Sequence, residues 1–321
     1  MGVQNNDIIL KDLVVYFPVR QGIVKAVDHV SATFQFGKIT GIIGESGCGK
    51  SVMGMAVLGL LPQYAKAEGQ ILYQGKDLRM LSPSDMRKMR GTNLGLIPQN
   101  PADSLNPVRK IGSQILEAAL LTGEKKQKSR ENMDKMLIQF GFDKNIVHRV
   151  EKAYAFELSG GMQQRVAAVM GVASKPQWIL ADEPSKGLDL QLRKQMYKTL
   201  QQIKTECTDS MLIITHDLIL AKTLCDCVMV MYAGQIIEIG ERTLDQPKHP
   251  YTQALLQSLP ENGFQPMKGK APSPGENFEG CRFAPRCSYA KEECRKSVPG
   301  YYQTENGMVR CFRYAGSKKS K

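Results

Sequence analysis

The chain contains no apolar run that approaches the roughly 20 residues a helix needs to cross a bilayer. The most apolar run, from Val52 to Leu61, is too short for that purpose. Residues 1–6 have neither the basic part nor the apolar part of an export signal. The sequence therefore predicts no membrane-spanning helix and a protein that stays in the cytoplasm.

Basic segments interleaved with aromatic residues, which would indicate nucleic-acid binding, are also absent. The net charge is nevertheless +12 and the isoelectric point about 9.2. The basic residues are spread along the chain, and a positive surface suits ATP and the anionic inner membrane leaflet equally well. No nucleic-acid partner is predicted.

A phosphate-binding loop follows the apolar, β-branched segment Ile39–Ile43, which predicts a buried strand. The loop matches the pattern G-x-x-x-x-G-K-[ST], and a buried helix is predicted after it. Its glycines let the backbone wrap an anion, so that successive N–H groups and the helix N-terminus face the phosphates. Lys50 is predicted to contact the β- and γ-phosphates of ATP, and the Ser51 hydroxyl to bind Mg²⁺. The loop consists of Gly44, Glu45, Ser46, Gly47, Cys48, Gly49, Lys50 and Ser51.

Two carboxylates end a second predicted buried strand, Trp178–Ala181. Asp182 suits a direct or water-mediated contact to Mg²⁺ at the end of this strand. Glu183 comes one residue later and points differently, so it can polarise an attacking water. A third apolar strand, Met211–Thr215, is followed by His216.

Between these motifs lies the segment Leu-Ser-Gly-Gly-Met-Gln-Gln-Arg, residues 158–165. Ser159 is predicted to cap a helix that runs from Met162 to Ala173. Gly160 and Gly161 allow a close approach to a phosphate, which the helix dipole favours. Because the segment has no lysine, it can serve a nucleotide that is held mostly elsewhere.

The three motifs in this order resemble the ATP-binding cassette (ABC) ATPases. The resemblance implies an α/β fold with a RecA-like parallel sheet core that carries the phosphate loop, an antiparallel β part and a helical subdomain at about residues 100–160. It also implies a dimer in which one subunit caps the ATP of the other through a set of signature residues. These are Ser159, Gly160, Gly161 and Gln163.

The family resemblance assigns further residues around the nucleotide. His216 would contact the γ-phosphate and support hydrolysis, as Glu183 does. Gln99, which follows an apolar strand, would sense Mg²⁺-ATP and link to a membrane partner, and Asp189 matches the family's D-loop. Phe17 is favoured as the aromatic residue that stacks on adenine, with Tyr16 as the alternative; core aromatics of a strand would have the same pattern.

Four of the eight cysteines crowd residues 281–321: Cys281, Cys287, Cys294 and Cys311. Disulfides are disfavoured in the cytosol, and a tail rich in proline and glycine offers little apolar core. Four neighbouring thiols therefore suggest a metal site, although the C-x2-C pairs of zinc ribbons are absent. From the residues alone, an iron–sulfur site, a zinc site and independent buried thiols all remain open.

The tail resembles the C-terminal extension of ATPases from dipeptide, oligopeptide and nickel importers, through residues 249–256 and 280–287. The resemblance implies a [4Fe–4S] cluster on the four cysteines, with Zn²⁺ as the alternative. It divides the chain into a nucleotide-binding domain, residues 1–245, and a Cys-rich extension, residues 246–321.

These observations predict an ATP-hydrolysing subunit at the cytoplasmic face of the cell membrane that powers solute import. Its partners would be a second, homologous ATPase subunit, two transmembrane permeases and an extracytoplasmic solute-binding protein. Di- or oligopeptides are the expected solute, and nickel or a metal chelate is the alternative. A soluble ABC ATPase that acts on nucleic acid or ribosomes is disfavoured, because the chain has one cassette and no heptad run between Lys50 and Asp182.

Overall fold

A computed structural model describes residues 6–20, 22–208, 210–260, 263, 265–272, 276 and 278–316. The first five residues, part of the segment that predicts no export signal, lie outside the described residues. The chain divides into two compact units. Unit 1 comprises Met1–Gln35, Thr40–Arg79 and His216–Lys321, and unit 2 comprises Phe36–Ile39 and Met80–Thr215. The predicted domain boundary at residue 245 stays a prediction.

The strands and helices are numbered in chain order. The strands are β1 (Ile8–Val19), β2 (Gly22–Phe34), β3 (Ile39–Ile43), β4 (Lys66–Tyr73), β5 (Lys76–Asp77), β6 (Leu94–Ile97), β7 (Trp178–Asp182), β8 (Met211–Ile214), β9 (Cys227–Tyr232), β10 (Gln235–Gly240), β11 (Tyr302–Thr304) and β12 (Gly307–Val309). The helices are α1 (Lys50–Val57), α2 (Pro83–Thr92), α3 (Pro101–Ser104), α4 (Ile111–Leu120), α5 (Lys126–Gln139), α6 (Val147–Lys152), α7 (Gly160–Val172), α8 (Leu190–Glu206), α9 (Leu218–Leu224), α10 (Pro250–Gln257) and α11 (Glu292–Lys296). No helix in the described ranges combines the length and the apolar character that crossing a bilayer requires.

Unit 1 contains an antiparallel sheet in the order β2-β1-β4-β5. Residue Ile8 of β1 lies opposite Phe34 of β2 on one side and Tyr73 of β4 on the other. All three side chains are buried, since they lie on the face that the sheet turns to its core. The antiparallel β part that the family resemblance implies is therefore present.

Unit 1 also contains residues 40–43 of β3, which pair in parallel with β9, followed by β10, β12 and β11 in antiparallel order. All five residues of β3 are buried, as the sequence predicts for a strand covered on both faces. The adjoining core includes Ile43, Val230, Tyr232, Tyr251 and Phe283. Because β12 pairs with β10, the last part of the chain is joined to the strand that precedes residue 245.

Unit 2 contains the parallel strands β6, β7 and β8, in which Leu94 lies opposite Trp178 and Ile179 opposite Met211. The carboxyl ends of these strands lie at one edge, where ligands of α/β sheets bind. Helices α4, α5 and α6 pack together and α4 also packs on α7. Helices α4, α5 and α6 lie within residues 100–160, where the helical subdomain is predicted, and its bounds stay a prediction. Ser82 caps α2 by accepting a hydrogen bond from the Asp85 N–H at 3.1 Å.

Candidate functional site

The phosphate loop joins β3 to α1 in unit 1, the strand–loop–helix arrangement that the motif requires. Gly44 has φ 152° and Gly49 has φ 104°, both in the region that favours glycine. A Cβ atom at Gly44 would lie 2.1 Å from the Met231 carbonyl oxygen, and one at Gly49 would lie 2.0 Å from the Ala26 carbonyl oxygen. Side chains at these two positions would therefore push the loop away from the backbone behind it.

Lys50, the first residue of α1, is buried within this loop. Its ammonium group donates hydrogen bonds to the carbonyl oxygens of Gly44 at 2.8 Å and Glu45 at 3.0 Å. The neighbouring Cys48 is also buried, and burial raises the pKa of its thiol. The loop thus holds its cation over its own backbone, at the place where the phosphates of a nucleotide are predicted.

The predicted adenine-contacting residues lie near the end of β1. Phe17 is half-buried, and its ring centroid lies 5.9 Å from that of Tyr64. Tyr64 is 66% exposed, and sequence reasoning missed it because a lone aromatic residue in a polar segment has no pattern. Tyr16 lies opposite Lys25 and Lys66 in the sheet, and its hydroxyl bonds to Glu68, which raises the pKa of Tyr16. Both residues thus have a partner in unit 1, and the choice of Phe17 over Tyr16 for stacking on adenine stays a prediction.

Two buried carboxylates lie at the carboxyl end of β7 in unit 2. Asp182 is 3% exposed and lies opposite Ile214 of β8. Glu183 is 8% exposed and has φ 46°, which is uncommon for a residue with a side chain. Its N–H donates to the Ile214 carbonyl oxygen at 2.8 Å, which holds this conformation. The chain therefore turns sharply after Asp182, and the roles of the two carboxylates at Mg²⁺ and water stay predictions.

Gln99 lies two residues beyond the carboxyl end of β6, and β6 pairs with β7 through Ile97 and Ala181. Gln99 and Asp182 therefore emerge from neighbouring strands at the same edge of unit 2. His216 follows β8 by two residues and is the first residue of the last segment of unit 1. The role of His216 at the γ-phosphate stays a prediction.

Ser159 caps α7, because its hydroxyl accepts a hydrogen bond from the Met162 N–H at 3.4 Å. This cap is the one that the sequence predicts. Ser159 and Gly160 are both exposed, and a Cβ atom at Gly160 would meet nothing within 4 Å. The N-terminus of α7 thus presents an open surface to an incoming anion.

Gln163 and Asp189 have local partners that the sequence did not predict. The Gln163 amide donates to the carbonyl oxygens of Ala155 at 2.8 Å and Leu158 at 3.2 Å, so it supports the segment that precedes Ser159. Asp189 caps α8 by accepting a hydrogen bond from the Leu192 N–H at 2.9 Å. Both residues therefore hold the backbone beside the signature, and their contacts to a nucleotide or a partner stay predictions.

The four clustered cysteines line one small cavity in unit 1, together with His249, Phe283 and Tyr289. The Cys281 N–H donates to the Cys294 carbonyl oxygen at 2.8 Å, which joins the two segments that carry these thiols. Burial, together with the nearby thiols, raises the pKa of Cys281 to about 11. The fold therefore brings together residues up to 30 positions apart in the sequence, Cys281 and Cys311.

The described residues include no group of three or more His, Cys, Asp or Glu side chains arranged to hold a metal ion. A tetrahedral zinc site needs four ligand atoms at about 2.0–2.3 Å from one ion. The predicted metal site therefore has no support as a single-ion site, and the structure shows four free thiols around a shared cavity.

The structure adds two residues at the phosphate loop that sequence reasoning missed. Tyr251 of α10 and Arg286, which lies between two of the clustered cysteines, both contact Glu45 of the phosphate loop. They are 206 and 241 residues from Glu45 in the chain, so no local pattern could have identified them.

Comparison with known proteins agrees with this architecture. Residues 27–186 match the ABC transporter family, and residues 237–294 match the oligopeptide/dipeptide transporter C-terminal region. Among solved structures, the dimeric structure of a bacterial ABC transporter cassette has a TM-score of 0.64 and 23% identity, and covers 73% of this chain and 98% of that one. The structure of cbiO1 from Clostridium perfringens has a TM-score of 0.60 and 25% identity, and covers 74% of this chain and 88% of that one.

Curated relatives are similar along nearly the whole chain. The dipeptide transport ATP-binding protein DppD of Haemophilus influenzae is 36% identical over 311 residues, which cover 94% of both chains. The oligopeptide transport ATP-binding protein AppD of Bacillus subtilis is 35% identical over 318 residues, which cover 95% of this chain and 96% of that one. The chain therefore belongs to the ABC transporter family of ATP-binding proteins, in the group that carries the oligopeptide/dipeptide transporter C-terminal region.

Proposed function

We propose that this protein hydrolyses ATP to power the import of dipeptides or oligopeptides through separate membrane permeases. The observation that carries the proposal is the pairing of a cassette at residues 27–186 with an oligopeptide/dipeptide transporter C-terminal region at residues 237–294. The relatives are named for dipeptide and oligopeptide transport, which favours peptides over the nickel or metal-chelate alternative.

In this proposal the phosphate loop binds ATP, and the residues at the strand ends bind Mg²⁺ and activate the attacking water. The backbone N–H groups and Lys50 bind the phosphates of ATP, and the Ser51 hydroxyl and Asp182 bind Mg²⁺. When bound, Mg²⁺ neutralises charge between the β- and γ-phosphates. Glu183 orients the attacking water and accepts a proton from it, while His216 contacts the γ-phosphate. The left-handed glycines of the loop and the buried position of Asp182 at a strand end support this assignment, because they match the backbone shape and the strand-end placement that it requires.

The open N-terminus of α7 supports a dimer. Ser159 and Gly160 are exposed, and the segment has no lysine that would hold a nucleotide alone. We infer that this surface caps the ATP of a second ATPase subunit, which is a homologous sister chain. Binding then closes the pair and hydrolysis reopens it, and this movement drives the permeases.

The remaining partners follow from the transporter assignment. Two permeases cross the membrane, this subunit lies on their cytoplasmic face, and an extracytoplasmic binding protein delivers the peptide. The test is reconstitution of the purified subunit and its sister chain with the permeases in liposomes. We expect ATP hydrolysis to rise when the peptide-loaded binding protein is added, and not when nickel replaces the peptide. Hydrolysis that responds to nucleic acid or ribosomes but not to permeases would contradict the proposal.

We further propose that Cys281, Cys287, Cys294 and Cys311 hold an iron–sulfur cluster. The donor set fits, because four thiols in one cavity are the ligands that such clusters prefer. The thiols that bind an iron–sulfur cluster lie farther apart than the ligands of a single metal ion. Four thiols spaced for a cluster would therefore not form a single-ion group, and the described residues contain none. When bound, the cluster would hold together the segments that carry Cys281 and Cys294, which already meet through a backbone hydrogen bond.

Protein purified without oxygen is therefore expected to be brown and to contain about four iron atoms per chain. Replacing any one of the four cysteines by serine should bleach the visible absorption, whereas Cys207→Ser, outside the cavity, should leave it unchanged. Iron analysis and absorption spectroscopy check both statements. Colourless protein with stoichiometric zinc would overturn the cluster, and metal-free protein with an ordered extension would overturn any metal site.

A further inference from the structure

Glu45 of the phosphate loop is held from two directions by the part of the chain that follows β10. Its backbone N–H donates to the Tyr251 hydroxyl at 3.0 Å. Its carboxylate accepts a hydrogen bond from Arg286 Nη1 at 3.1 Å. Tyr251 belongs to α10, and Arg286 belongs to the short segment 281–287, which we call the arginine loop. One residue of the phosphate loop is thus fixed through both its backbone and its side chain.

Tyr251 is itself rigidly placed. Its side chain is fully buried, and its ring centroid lies 4.6 Å from that of Tyr232 and 5.5 Å from that of Phe283. Burial raises the pKa of Tyr251, so its hydroxyl stays neutral and can accept the Glu45 N–H. Aromatic packing of this kind fixes the position of the hydroxyl oxygen, so the loop N–H has one defined partner.

Arg286 is held as firmly. Its side chain is 6% exposed, its Nε donates to the Lys268 carbonyl oxygen at 3.1 Å, and its Nη1 also donates to the Tyr232 hydroxyl at 3.3 Å. Burial opposes the charged form, but the bonds to Glu45 and Tyr232 outweigh it and raise the pKa of Arg286. An ion pair at a buried guanidinium is stronger and more directional than one in open solvent.

These contacts bear on the ATP site because Glu45 also contacts Lys50. The Lys50 ammonium donates a hydrogen bond to the Glu45 carbonyl oxygen at 3.0 Å. A shift of Glu45 would therefore displace an acceptor that positions the ammonium group predicted to bind phosphate. A loop that already has its bound shape loses less entropy when a ligand binds. We infer that Arg286 and Tyr251 are positioning residues that hold the phosphate loop in its ATP-binding shape. The inference rests on the proposed role of residues 44–51 in ATP binding.

The test measures binding of a non-hydrolysable ATP analogue with Mg²⁺ to the full chain by calorimetry. Tyr251→Phe keeps the buried ring and removes only the acceptor, and Arg286→Gln removes the charge. Each is expected to raise Kd about three- to tenfold, the range that loss of one hydrogen bond produces. The KM for ATP should rise with Kd while kcat stays within about twofold, because neither residue is placed at the reacting atoms.

A matched control is Arg282→Gln. Arg282 lies in the same arginine loop and is also mostly buried, but it pairs with Asp28 at 2.7 Å rather than with the phosphate loop. The Arg282→Gln variant should lower the melting temperature about as much as Arg286→Gln does. Its Kd for the ATP analogue should stay within about twofold of the wild-type value. In a double-mutant cycle, Glu45→Gln combined with Arg286→Gln should bind no more weakly than the weaker single variant, since both remove the same contact.

Wild-type affinity in Tyr251→Phe and Arg286→Gln, or an equal loss of affinity in Arg282→Gln, would overturn the positioning role. Additive effects of Glu45→Gln and Arg286→Gln would also overturn it. Lys50→Ala separates this failure from failure of the proposed site. If Lys50→Ala binds the analogue normally, the assignment of residues 44–51 is wrong and the positioning role falls with it. If Lys50→Ala alone weakens binding, the ATP site stands and only the positioning role is rejected.

Discussion

The Glu183→Gln variant is expected to bind ATP with near wild-type affinity and to hydrolyse it at least about 100-fold more slowly. Glutamine has nearly the same size and can keep the hydrogen bonds, but it cannot accept a proton from the attacking water. The unusual backbone at φ 46° is held by the Glu183 N–H bond to Ile214, which the substitution leaves in place. The loss of hydrolysis should therefore come from the missing proton acceptor and not from a change in structure.

Single-turnover phosphate release measures the rate of hydrolysis, and nucleotide retention on gel filtration measures ATP binding. The control is Glu131→Gln, the same substitution at an exposed position of α5, which should hydrolyse ATP at the wild-type rate. Hydrolysis by Glu183→Gln within a few-fold of wild type would mean that another group activates the water. Loss of ATP binding would instead mean that the carboxylate supports the bound nucleotide.

The Ser159→Arg variant is expected to lose ATP-driven pairing of ATPase subunits while binding ATP at its own phosphate loop. Ser159 is exposed at the N-terminus of α7, beside Gly160, where a Cβ atom meets open space. A long cationic side chain would fill the surface that we propose to face the nucleotide of the second subunit. Light scattering with ATP in the Glu183→Gln background, mixed with the sister chain, measures the pairing.

Substitution of Ser159 also removes a helix cap, which costs about 1 kcal/mol of stability. Ser82→Arg is the matched control, because Ser82 is another exposed serine that caps a helix through its hydroxyl. It should lose a similar amount of stability and still pair normally. Pairing of Ser159→Arg at wild-type levels, or an equal loss in both variants, would contradict the two-site arrangement.

Much of the candidate site could be predicted from sequence because it depends on local order. A β-branched strand, a glycine-rich loop and a helix predict the surroundings of Lys50, and the buried strand before Asp182 predicts where the carboxylates lie. The caps at Ser82 and Ser159 follow from side chains that reach N–H groups three residues ahead. Each of these features needs only the backbone geometry of a few consecutive residues.

Other features could not be predicted in this way. Gln163 matches a family pattern that implies a nucleotide contact, yet its amide bonds to the backbone of Ala155 and Leu158. The position of Tyr64 beside Phe17 depends on how two distant segments pack. The four cysteines suggest a shared site by their clustering, but whether their spacing suits one ion or a larger group depends on the fold around their cavity.

The sequence by itself determined the nucleotide chemistry, the cassette fold and the group of transporters to which this chain belongs. Short motifs with fixed spacing are enough to identify each of these properties. The tertiary structure alone decided what supports the phosphate loop. Glu45 meets Tyr251 and Arg286 only because the strands β9, β10 and β12 bring the end of the chain back to unit 1 near the loop. Contacts across more than 200 residues arise from strand pairing and side-chain packing, which leave no periodic signal in a single sequence.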